Sequence, residues 1–110
     1  MKYKITDSKL ENVIFLYLDN QDFIPIEKGD KIYFVNSEGD KYAQIRYDKE
    51  YGWCYIHYEL INEISSFFSL ELSDSKEVIG KWVDNTLQMR VTNIALGQHP
   101  RSNKLIIPSN

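Results

Sequence analysis

One cysteine, Cys54, stands among 110 residues, which excludes an internal disulfide and any multi-cysteine zinc site. Histidine occurs only at His57 and His99, too few to build a metal site from converging imidazoles, so no metal is expected. Gly29, Gly39 and Gly52 are isolated turn glycines without the Gly-rich neighbours of a phosphate loop, and no cofactor is expected. The longest apolar run, Val13 to Leu18, is six residues, against the roughly twenty needed to cross a bilayer. The opening Met-Lys-Tyr-Lys-Ile has no apolar signal core. These absences lead to the expectation of a soluble, cytoplasmic protein with no membrane partner.

Charge is unevenly spread. The formal net charge is −3, but residues 7–85 carry all sixteen acids against eight Lys and Arg. After Asn85 acids are missing altogether, and Arg90, Arg101 and Lys104 make that end basic. Phosphate contacts dominate nucleic-acid affinity. Three cations on an acidic domain read first as a solvated end and only second as a nucleic-acid-binding patch.

What is present in quantity is tyrosine: eight, with five Phe and two Trp. Rings with an apolar body and a polar tip suit the edges of a core, or a binding face. The chain is long enough to bury one core, and it reads as a single domain over 1–93 with an irregular tail over 94–110.

Ser8 and Glu11 have capping-box spacing, and Leu10, Val13, Ile14, Tyr17 and Leu18 follow at helical intervals. The spacing predicts a helix over 8–20, although the β-branched and aromatic Val-Ile-Phe-Leu-Tyr-Leu also suits a strand. Phe23–Ile26 reads as extended, since the residue before Pro25 avoids helical angles. Strands are expected over 31–36, 41–48 and 53–57, joined by short Gly-containing turns and hence antiparallel. Leu60, Ile61, Ile64, Phe67 and Phe68 then form one amphipathic stripe. Ser69–Ser73 serves as a linker, and Asp74 starts a second helix running through about Met89. Gly80 inside that helix costs on the order of 1 kcal/mol relative to alanine, and a close packing contact is one reason for it. The fold class is therefore α+β: a three-stranded antiparallel meander packed on two C-terminal helices, with an N-terminal helix or, alternatively, strand.

Alternation assigns the sheet faces. Ala43, Ile45, Tyr47, Cys54 and Ile56 take the core side, leaving Tyr42, Arg46, Trp53, Tyr55 and His57 as an aromatic reverse face. The same alternation puts Cys54 and His57 on opposite sides, which argues against a nucleophile–base dyad. Glu59 and Glu63 are one helical turn apart and off the apolar stripe, as on a solvated helix face. The helix pair over 58–89 has helix–turn–helix order, but Lys76, Lys81 and Arg90 are offset by Glu77 and Asp84. The expected function is a non-enzymatic interaction module of unknown role that binds a protein partner, or a second copy, through Tyr42, Arg46, Trp53, Tyr55 and His57. The alternatives are a nucleic-acid-associated regulator using Arg90, Arg101 and Lys104, and an enzyme with a pocket near His57, Glu59, Tyr42 and Arg46.

Overall fold

The structure, a computed structural model, describes residues 8–96 and 105–108. It is an α+β fold with three helices and a mixed five-stranded sheet. The elements in chain order are α1 (Ser8–Asp19), β1 (Ile24–Lys28), β2 (Lys31–Val35), β3 (Tyr42–Ala43), β4 (Ile45–Asp48), β5 (Trp53–Ile56), α2 (Tyr58–Phe68), α3 (Leu72–Leu87), β6 (Asn93–Leu96) and β7 (Leu105–Ile106).

The N-terminal segment is helical: Ile14 and Leu18 are fully buried, and helical spacing brings them to one face. The Ser8 side chain, expected as its cap, lies outside the described residues. Val13, expected on the buried stripe, instead faces outward with Leu16.

The main sheet has the order β1-β2-β4-β5-β6. The first four strands are antiparallel neighbours, and of the stretch expected to be extended over Phe23–Ile26, Ile24 to Ile26 lie in β1, which runs on through Lys28. An all-antiparallel meander is not what forms, because β6 pairs with β5 in parallel, from Trp53↔Asn93 to Ile56↔Leu96. A parallel join needs a long crossover, and α2 with α3 supplies it. Residues 94–96, expected in an irregular tail, thereby belong to β6, which forms one edge of the sheet.

The helices cover one face. Ile32, Phe34, Ile45, Tyr47, Cys54 and Ile56 meet Ile14, Leu18, Leu60, Ile61, Ile64, Val78, Ile79, Trp82 and Val83 in the main core. The reason for Gly80 is visible here: a Cβ at that position would lie 2.2 Å from Ile94 Cδ1. Glycine lets α3 settle directly on β6. Contrary to the expected linker over 69–73, α3 starts at Leu72 with Glu71 in the cap position and no side-chain cap bond. Ser69, in the left-handed conformation, ends α2. A buried Ser65–Ser75 hydroxyl pair at 2.7 Å ties the two helices together.

One expected strand is broken. The pairing Phe34↔Ile45 and the bond from Gln44 N–H to Phe34 O (2.8 Å) set two residues opposite one, a bulge that inverts the alternation upstream. Ala43 therefore does not share the core face with Ile45. It joins Tyr33, Val35 and Leu105 in a second cluster on the reverse side. There β3 pairs with β7 in a separate two-stranded ladder, Tyr42↔Ile106 and Ala43↔Leu105.

Candidate functional site

Among the described residues, one half of the reverse face of the sheet is covered and the other half is left open. Its covered half is the second cluster: Tyr33, Val35, Ala43 and Leu105, with the partly buried Ile24, Ile26, Tyr55 and Ile107 packed against them. Burial there pushes the Tyr33 phenol above its ordinary pKa, with Arg46 and Lys31 pulling the other way.

Register builds the open half. Tyr33, Arg46, Tyr55 and Ala95 form one row across β2, β4, β5 and β6, and Lys31, Asp48, Trp53 and Asn93 form the next. Within these rows the Arg46 guanidinium carbon lies 4.3 Å from the Tyr55 ring centre. Arg46 Nε donates to Asp48 Oδ1 at 3.1 Å. The Trp53 and Tyr55 rings stand 6.0 Å apart, centre to centre, at 42°. Trp53 remains 39% exposed. The result is a platform of two rings and one fixed guanidinium at the β5–β6 side of the sheet. Stacking, cation–π and hydrogen-bond contacts are all open to it, because Arg and Trp faces combine apolar area with polar tips.

The other residues expected on this face are elsewhere. Tyr42, on β3 beyond the bulge, pairs with Ile106 and stands apart from the Arg46–Tyr55 row. His57 is 5% exposed and caps α2, its Nδ1 accepting the Glu59 backbone N–H at 3.1 Å. A helix-capping role uses the ring's acceptor nitrogen and holds the ring in the chain turn. The sequence signal for this was position: a polar side chain immediately before the α2 stripe.

Cys54 is fully buried in the main core, and burial pushes its thiol up to about 12. It behaves as a small apolar side chain. A polar cleft of about 200 Å³ beside the first turn of α2 is lined by Asn36, Gln44, Glu59 and Glu63, among others, and neither His57 nor Arg46 lines it. Among the described residues no three of His, Cys, Asp and Glu gather as metal ligands would. None of the described helices is long and apolar enough to cross a membrane.

Arg90 is exposed in the turn after α3, and its carbonyl accepts the Tyr47 hydroxyl at 2.7 Å. Arg101, Lys104 and His99 lie outside the described residues, so the structure does not place the basic end as a patch.

Comparison with protein-family models, with curated proteins and with solved structures finds no match for this chain.

Proposed function

We propose that this chain is a non-enzymatic interaction module that takes a protein partner, or a second copy of itself, on the open half of its reverse sheet face. The observation that carries this reading is the Arg46–Tyr55–Trp53 platform: an arginine whose guanidinium carbon lies over one ring at 4.3 Å, beside a tryptophan left partly exposed. Arg, Tyr and Trp are the residues that most often concentrate binding energy at the centre of protein interfaces. A guanidinium already fixed by Asp48 and Tyr55 gives up little side-chain freedom when a partner arrives. Protein suits the face better than nucleic acid because Asp48 stands within it and Asp30 beside it, next to the cations Lys31 and Arg46.

The test is quantitative co-purification from the native cell extract, comparing the unaltered protein with a Trp53→Ala/Arg46→Ala variant and a Leu16→Ala control on α1. The expected result is a protein, or a second copy, retained by the first and by the control and lost about tenfold or more in the face variant. Full retention by the face variant overturns the reading.

A further inference from the structure

The two edges of the main sheet are defended differently. On β1, Pro25 removes one backbone donor, and the charged pair Glu27–Lys49 and Lys28 line the strand. Proline and charge are standard defences against an added strand. By contrast β6, Asn-Ile-Ala-Leu, has neither proline nor charge, and Leu96 is 48% exposed. Among the described residues none pairs with its outer side.

A groove of about 510 Å³ runs beside that open edge on the helical side. Its apolar part is Phe15, Gly80 and Ile94; its rim is acidic, with Glu11, Glu77 and Asp84. Among the described residues its one cation is Lys81, shared between Glu11 at 3.2 Å and Glu77 at 3.8 Å, while Lys76 lines the adjoining groove with Asn93 and Ile94. Three acids against one lysine, counted among the described residues, leave this groove net negative.

We infer that β6 accepts an extended, basic peptide segment of the partner as a sixth strand of the sheet. This rests on the interaction reading above and names the form the partner takes. Side chains of an added strand alternate between faces. On one face they fall beside Asn93 and Ala95, whose small side chains leave Trp53 and Tyr55 within reach across β6. On the other they enter the groove, where an aliphatic stem packs on Phe15 and Ile94 and a terminal ammonium or guanidinium meets Glu77 and Asp84. Backbone bonds to β6 supply affinity, and the groove's charge supplies selectivity for lysine or arginine.

The experiment uses the isotope-labelled intact protein with two short synthetic peptides, one alternating valine with arginine and the other valine with glutamate. The basic peptide slows amide exchange within residues 93–96 and binds about tenfold tighter than the acidic one, and Glu77→Lys narrows or reverses that order. Three results overturn the inference: no protection in 93–96, an order unchanged by Glu77→Lys, or β6 occupied by β6 of a second copy. If the native partner still depends on Trp53 while 93–96 stay unprotected, strand addition fails and the platform reading stands. If 93–96 are protected but the native partner ignores Trp53→Ala, the platform reading fails instead.

Discussion

Arg46 and Tyr55, directly opposed on β4 and β5, form a cation–π pair in which the guanidinium carbon is 4.3 Å from the ring centre. A contact between partly exposed groups of this kind is worth only about 0.5–1 kcal/mol to the fold. Its consequence is geometric: an arginine that would otherwise sample many rotamers is held over the Tyr55 ring, with Asp48 accepting from its Nε. Lysine keeps the charge and loses both the planar guanidinium and its fork of donors. Arg46→Lys is therefore expected to weaken partner binding about tenfold while shifting chemical-denaturation stability by no more than about 0.5–1 kcal/mol. Isothermal titration with the co-purified partner and urea unfolding measure the two effects separately.

Gly80 and Ile94 make the opposite prediction, large in stability and unrelated to the platform. Alanine is favoured over glycine in a helix by about 1 kcal/mol. Here the added methyl would sit 2.2 Å from Ile94 Cδ1 and 2.7 Å from Cγ1, so α3 and β6 must separate or Ile94 must change rotamer. Overpacking of this sort costs about 1–3 kcal/mol. Gly80→Ala is expected to destabilise, and Ile94→Ala, which removes the opposing atoms, should recover part of the loss in a double-mutant cycle read by thermal unfolding.

Tyr17 donates its hydroxyl to Glu63 Oε2 at 2.5 Å, linking α1 to α2. That bond, with burial and the carboxylate's charge, pushes the phenol from 10.0 up to about 12. The folded protein therefore holds this proton more tightly than the unfolded chain. The associated stability is fully present below pH 10, where both states keep the proton, and it is lost as pH rises from 10 to about 12. Tyr17→Phe should flatten that part of the curve. Urea midpoints measured across this alkaline range for both proteins check it; parallel curves would remove the bond from the account.

Much of the architecture was legible in residue spacing. Leu60, Ile61 and Ile64 of the α2 stripe and Val78, Ile79, Trp82 and Val83 of the α3 stripe are buried where helical periodicity puts them, whereas Phe67, expected on the first stripe, is 65% exposed and Phe68 half-buried. Turns at Gly29 and Gly52, both in the left-handed region, separate the strands that alternation picks out. Two features escaped for physical reasons. The bulge at Gln44 is set by pairing with Phe34, a relation between strands that no local pattern carries. A four-residue β6 is too short for its own periodicity to stand out, and its place follows from the α2–α3 crossover. The same distinction runs through the candidate site. Alternation alone brought Arg46, Trp53 and Tyr55 together. Tyr42 was displaced by the bulge, and His57 was taken by the start of α2.

The most direct measurement is photo-cross-linking from the platform itself, with benzoylphenylalanine in place of Trp53 and, as control, in place of Leu16 on the exposed side of α1. Inside the native cell, position 53 is expected to yield one discrete protein adduct, either a partner or a second copy, and position 16 none of the same size. An adduct that forms equally from both positions, or from Leu16 alone, would contradict the placement of the binding face on the open half of the sheet.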